Sequence, residues 1–195
     1  MRSSGVGTLT LAVAVAVVAG ARAAGPIPTP IGKGPRFHPP AARAAVRAGR
    51  PIGGLACGAA TTRVGVHVEL FARGLVVIAP AGIGVARPFA RRGAYVLPGA
   101  CTYPIRTREP TGVLEVQPGR GLRLGDLFRV WGQPLSATRL AGFRTSTARP
   151  VRAYVSGRRW PGDVRAIPLR RHGQIVLELG KYIPPHRAYA FPPGL

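Results

Sequence analysis

The sequence predicts a mainly β protein, an antiparallel sandwich or barrel of about 7–8 short strands with one short amphipathic helix near residues 124–131. Residues 63–71 (RVGVHVELF) alternate valine and leucine with other side chains, which is typical of a strand with one buried face. Short apolar segments recur after turn residues, as at 72–74 and 156–157. Among the segments after residue 51, only 124–131 clearly repeats its apolar residues at helical spacing.

Residues 1–24 have the features of a secretory signal peptide. Arg2 lies near the N-terminus, the apolar run Leu9–Ala19 follows, and an A-x-A pattern predicts cleavage after Ala23 or Ala24. An uncleaved anchor is the alternative, although the run is shorter than the ~20 residues of a spanning helix. We therefore expect a secreted or extracytoplasmic location in the cell envelope, with no transmembrane segment once the signal is removed.

Residues 25–51 are rich in proline, alanine and arginine, which predicts an extended arm. A single β-rich domain would then occupy residues 52–195, a length that can bury a sizeable core. Its two cysteines, Cys57 and Cys101, would meet an oxidising compartment after export. We predict that they form a disulfide worth roughly 4 kcal/mol, with two separately buried thiols as the alternative.

The stretch from Cys101 to Leu135 predicts a hairpin followed by the helix. A turn at 109–112 would place Arg106 opposite Glu115 on paired strands. The helix would bury one apolar stripe, formed by Leu124, Leu127, Phe128 and Trp131, before ending at Gly132. Further strands are expected at 151–155, 158–160, 164–169 and 174–179, and the tail from Tyr182 should pack extended along the domain.

The chain is strongly basic, with 28 Lys and Arg against 6 Asp and Glu and a formal net charge of +22. Such a charge attracts polyanions, so an anionic polymer or an anionic lipid surface is the expected partner. The arginines are scattered, aromatic residues are few, and no specific nucleic-acid motif is present. A simple solvated basic surface is the alternative interpretation.

Residues with catalytic or metal-binding potential are sparse. No serine lies in a G-x-S-x-G elbow, and no histidines follow a spacing such as H-x-H or H-E-x-x-H. Six acidic residues make paired catalytic carboxylates hard to assemble. His67 and Glu69 share the polar face of the first strand, as half of an acid–base or metal site or as a hydrogen-bonded surface pair. We predict no catalytic residue and no cofactor, and expect a non-enzymatic protein.

Several motifs follow one another in a fixed order between residues 52 and 195. They are IGGLAC at 52–57, RVGVHVELFARG at 63–74, PAGIGV at 80–85, the stretch 101–117, LGDLFRVWGQPL at 124–135, VRAYVSG at 151–157, the segment 162–172 and YAFPPGL at 189–195. This order resembles a largely uncharacterised family of secreted prokaryotic proteins with H-x-H-x-H, C-x-Y-x-L-H-T-H-D and L-G-Q-F-F-x-x-W-G motifs. The chain resembles a histidine-depleted member.

The departures from that pattern define a candidate polar cluster. The resemblance implies a clustered imidazole site on one sheet face of the family, of a kind that could hold a metal. In this chain the corresponding positions and their neighbours are His67, Glu69, Arg106, Arg108, Glu115 and His172. Guanidiniums cannot ligate a metal, so an Arg–Glu–His cluster that docks the hairpins or forms an anion pocket is expected.

Three functions are compatible with this sequence, and the third, an enzyme that acts on an envelope substrate, is supported only by the resemblance. The first is an exported, non-enzymatic envelope or extracellular domain that binds an anionic partner through an Arg-rich surface. The alternative is a metal-binding secreted protein that uses the remaining His and Glu residues, namely His67, Glu69, Glu115 and His172.

Overall fold

The computed structural model describes residues 32–40, 46–59, 61–184 and 188–195. The predicted signal peptide lies outside the described residues. The described chain is mainly β with one α-helix, which confirms the predicted fold class. In chain order the elements are β1 (Arg36–Phe37), β2 (Val64–Ala72), β3 (Leu75–Val77), β4 (Phe89–Arg92), β5 (Tyr95–Gly99), β6 (Ile105–Arg106), β7 (Val113–Val116), α1 (Leu124–Trp131), β8 (Leu135–Ser136), β9 (Arg139–Leu140), β10 (Phe143–Arg144), β11 (Arg152–Val155), β12 (Arg158–Arg159), a 3₁₀ turn (Val164–Ala166) and β13 (Gln174–Leu179).

The largest sheet has the order β1-β3-β2-β13-β11-β12, with β7 also paired to β2 and β6 paired to β7. The long strand β2 is central: it pairs with β13 in parallel and with β7 and β3 in antiparallel fashion. The other described strands form a three-stranded sheet, β10-β9-β8, and the hairpin β4-β5. Most pairings are antiparallel, as predicted, and the parallel exceptions are β2 with β13 and β1 with β3.

One face of β2 packs into the main hydrophobic core, where Val66, Val68 and Leu70 are almost completely buried. The predicted stripe of α1 packs into the same core and is buried along its length. The Asp126 carboxylate accepts the backbone N–H of Arg123 at 2.9 Å at the start of the helix. Gly132 ends it with a φ of 72°, a left-handed conformation that glycine adopts without steric cost. Among the described residues no helix has the length and apolar character needed to cross a bilayer.

The opposite face of β2 is also buried, whereas its alternating sequence predicts a polar face in contact with water. His67 and Glu69 are each only 5% exposed. Residues 188–195 cover this face, which we call the covered face. Phe191 lies so close to the strand that a Cβ added to Gly65 would come within 2.4 Å of its ring. The extended packing predicted for the tail is therefore what removes these polar residues from solvent.

Two other segments differ from the expectation. Residues 164–169 form a 3₁₀ turn and an isolated bridge at Pro168 in place of the predicted strand. The cause is Asp163, whose carboxylate accepts the backbone N–H of Arg165 at 2.9 Å and caps the turn. Part of the predicted arm joins the sheet, since β1 pairs with β3 and Phe37 packs edge-on against Phe143 at 4.7 Å.

The predicted disulfide between Cys57 and Cys101 is present and spans a sequence separation of 44 residues. It ties the segment that precedes β2 to the segment that precedes β6.

Replacing both cysteines with serine should lower the free energy of unfolding by roughly 4 kcal/mol, because the unfolded chain regains the entropy of an open loop. Denaturant titration of the Cys57→Ser/Cys101→Ser variant against the parent measures the loss. The parent in reductant is the control and should show a similar loss. Equal unfolding midpoints for the variant and the oxidised parent would contradict the expected contribution.

Candidate functional site

Three residues of the candidate cluster meet where β6 pairs with β7. The register places Arg106 opposite Glu115, as predicted. Nε and Nη2 of Arg106 donate to Oε2 of Glu115 at 2.7 and 2.5 Å, and Nε of Arg108 lies 2.9 Å from Oε1. Arg106 and Glu115 are buried, while Arg108 is partly exposed and also donates to the hydroxyl of Tyr95. The single negative charge of Glu115 is therefore shared between two guanidinium groups, those of Arg106 and Arg108.

A third guanidinium, that of Arg63, lies close enough to interact with this pair. It is 8% exposed and donates to the backbone oxygen of Tyr103 at 2.8 Å and to Oγ1 of Thr102 at 2.9 Å. Burial, together with the positive charge of Arg106, lowers the pKa of Arg63 to about 10, and the carboxylate of Glu115 acts in the opposite direction. The surroundings of Glu115 thus carry more positive than negative charge.

His67 occupies another part of the covered face, beneath Tyr189. Its Nδ1 lies 3.1 Å from Oε1 of Gln174, and its ring stacks on Tyr189 with 5.0 Å between centroids. Gln174 also makes two hydrogen bonds to the backbone of Tyr189. Its Oε1 accepts the N–H and its Nε2 donates to the carbonyl oxygen, each at 3.2 Å. Burial raises the pKa of Tyr189, and the negative charge of Glu109 raises it further. The amide of Gln174 thus fixes both the imidazole and the covering segment.

His172 lies at the edge of the same face and makes similar contacts. It stacks on Phe191 with 4.7 Å between centroids, and its Nε2 lies 2.6 Å from the backbone oxygen of Leu195. Together with His67 and Glu69 it lines a cavity of about 580 Å³. The three residues are brought together at this cavity, but both imidazole rings are already stacked against aromatic residues of the covering segment.

The sheet register relates the two groups. Glu115 pairs with Gly65 and His67 pairs with Val113, so Glu115 and His67 are diagonal neighbours at roughly 7–8 Å. Arg108 and Glu115, however, border a separate small cavity of about 190 Å³. Tyr189 lines this cavity and the larger one at His67. The candidate cluster is therefore arranged as an ion-paired group and a histidine-lined cavity on the two sides of Tyr189.

Two of the residues proposed for the alternative metal site are engaged by other groups of the protein. Glu115 is engaged by two guanidinium groups, and His172 contacts the backbone of Leu195. In the part of the chain that the structure describes, no group of three or more His, Cys, Asp or Glu is arranged to hold a metal ion.

A second candidate site lies where the C-terminal ends of β2 and β13 meet the start of β11. It is a groove of about 730 Å³, which we call the basic groove. Six cationic residues line it: Arg73, Arg144, Arg149, Arg152, Arg159 and Lys181. All except Arg152 are exposed, and no acidic residue of the described chain lines the groove.

Local structure fixes two of these arginines. Arg73 and Gly74 have φ angles of 52° and 81°, as a two-residue hairpin turn of type I′ requires, and Nη2 of Arg73 donates to the backbone oxygen of Arg144 at 3.0 Å. Arg152 pairs across the strands with Glu178, and its Nη2 lies 3.3 Å from that carboxylate. Burial raises the pKa of Glu178, and its contact with Arg152 opposes this rise.

The basic groove was not predicted from the sequence, because its residues are spread from position 73 to position 181. A partial signal exists: Arg73 lies within a two-residue turn, Arg159 is the second residue after another such turn, and Lys181 follows the last predicted strand. Knowing that these ends converge requires the strand order, in particular the parallel pairing of β2 with β13. Sequence alternation alone does not reveal that pairing.

Comparisons with protein-family models, with curated proteins and with solved structures find no match to this chain. The resemblance to the histidine-rich secreted family therefore stays a prediction.

Replacing Glu115 with glutamine should lower the free energy of unfolding by about 3 kcal/mol, because Arg106 would keep its charge in a buried position without a carboxylate. Denaturant titration measures this loss. The matched control is Glu109→Gln, which changes the same charge at an exposed position and should cost under about 0.5 kcal/mol. Equal effects of the two substitutions would show that Glu115 does not hold the hairpin together.

Proposed function

We propose that the protein is an exported, non-enzymatic domain of the cell envelope or extracellular space, and that it binds an extended anionic polymer along the basic groove. The observation that carries this proposal is the convergence of six cationic side chains on one groove that no described acidic residue lines. Five of the six are exposed, so their guanidinium and ammonium groups are available to phosphate, sulfate or carboxylate groups.

The position of the negative charges favours a binding site at the groove over a surface that is basic everywhere to the same degree. The carboxylate of Glu178, which pairs with the groove residue Arg152, is fully buried and accepts the backbone N–H of Ile183 at 2.9 Å. It positions one arginine without neutralising the exposed ones. Arginine also suits this role because its planar group binds oxyanions in bidentate fashion.

The proposed location rests on the sequence of residues 1–24, and the disulfide is compatible with it, since disulfides persist in oxidising compartments. In such a location the partner would be an acidic polymer of the envelope or matrix. A repeating anion suits a groove lined by several cations, because several weak surface contacts then act together.

The test compares two triple variants of equal net charge. Arg144→Gln/Arg149→Gln/Arg159→Gln removes three exposed groove cations, whereas Arg92→Gln/Arg120→Gln/Arg171→Gln removes three exposed cations outside the groove. Binding to linear polyphosphate is measured by titration at several salt concentrations. We expect the groove variant to lose affinity and to reduce the slope of log K against log salt by about 2, since each contact releases counterions.

The control variant should keep nearly the parental affinity and slope. Equal losses in the two variants would mean that net charge alone attracts the polymer, and the proposal would then be wrong. Parental affinity in both variants would contradict it as well, because the groove would make no contact.

A further inference from the structure

A different cavity, of about 190 Å³, lies between the loop 80–85, strand β4 and the C-terminal part of α1. We call it the Trp131 cavity. Its interior is apolar: Ile83, Val85, Val130 and Trp131 line it, and each is at most 5% exposed. It shares no lining residue with the basic groove, so it is independent of the proposed function.

Its volume indicates the size of a ligand. An engineered apolar cavity of about 150 Å³ in another protein holds one benzene molecule. The Trp131 cavity is slightly larger, which suits one aromatic ring with a short chain. It is too small for a polymer or a long acyl chain, and its apolar lining favours a ring over a polar group.

The entrance of the cavity is cationic. Arg47, Arg87 and Arg91 line the cavity and are exposed, so they lie on its solvent side. No acidic residue of the described chain lines the cavity. Phe89 orders two of these arginines, because the guanidinium carbons of Arg87 and Arg91 lie 4.9 and 5.4 Å from the centroid of its ring. Three cations without a carboxylate repel one another, and a bound anion would relieve that repulsion.

We propose that the Trp131 cavity binds a small aromatic carboxylate, with the ring inside the cavity and the carboxylate at the arginines of the entrance. The apolar lining accounts for the ring, and the positive entrance accounts for the charge. A neutral ring compound would lack the ion pairs, and a short carboxylate without a ring would leave the apolar interior unfilled.

The probe is 3-phenylpropionate, and the reporter is the fluorescence of Trp131. Trp160→Phe makes Trp131 the sole tryptophan, because the chain has only two. We expect a saturable emission change with 3-phenylpropionate, and binding weaker by about tenfold or more for 3-phenylpropan-1-ol and for propionate. The absence of a saturable change at millimolar probe, or equal binding of the alcohol, would overturn the proposal.

Variants in the same background locate the site. Ala81→Leu, which adds bulk to the cavity lining, should abolish binding, whereas Ala137→Leu, at an exposed turn outside it, should not. Arg87→Gln/Arg91→Gln should weaken binding about tenfold, whereas Arg92→Gln/Arg171→Gln should leave it unchanged. Parental binding by Ala81→Leu and by the Arg87/Arg91 variant would place the probe elsewhere and refute the assignment.

The groove variant Arg144→Gln/Arg149→Gln/Arg159→Gln distinguishes binding at the Trp131 cavity from binding at the basic groove. Its affinity for polyphosphate should fall, and its affinity for 3-phenylpropionate should stay at the parental value. Loss of the aromatic probe in this variant would show that the probe binds in the groove and would overturn the Trp131 assignment.

Discussion

The packing of residues 188–195 on β2 buries the polar side chains of the covered face. Tyr189 stacks on His67, and Phe191 fills the space above Gly65, where any Cβ would clash with its ring. Because both faces of β2 are then buried, the polar residues of the covered face must find partners within the protein. The ion pairs of Glu115 and the contacts of Gln174 follow from that requirement. The same packing places the candidate cluster among the internal contacts of the fold.

The scarcity of acidic residues has the opposite effect on the surface. Four of the six carboxylates, those of Glu115, Asp126, Asp163 and Glu178, form ion pairs with arginines in the described chain. Two of these four are buried, where they stabilise the sheet without offsetting distant surface charge. In the described chain these ion pairs involve five arginines, Arg106, Arg108, Arg129, Arg152 and Arg165, whereas the whole sequence has 28 basic residues. The fold therefore leaves positive charge exposed wherever strand ends bring arginines together, as it does at the basic groove.

Local features of the fold were predictable because short-range chemistry decides them. The helix from Leu124 to Trp131, the pairing of Arg106 with Glu115 and the disulfide all follow from residues close in sequence or from a single pair of cysteines. The burial of His67 and Glu69 was not predictable from alternation, since it depends on a segment more than 100 residues away. The parallel pairing of β2 with β13, and with it the basic groove, likewise depends on strand order.

Positive charge alone does not make an anion site, because mobile ions screen exposed charges beyond a Debye length of about 8 Å at physiological salt. Two scattered arginines therefore act nearly independently, whereas arginines that line one groove act on the same stretch of ligand. Each such contact is weak in water, so the basic groove would favour a ligand with many charges. The Trp131 cavity would work differently, since burial of a ring supplies affinity that salt does not screen. Its arginines need only select the sign of one charge. The two surfaces would therefore differ in their sensitivity to salt: binding at the groove would fall steeply, and binding at the cavity would change little.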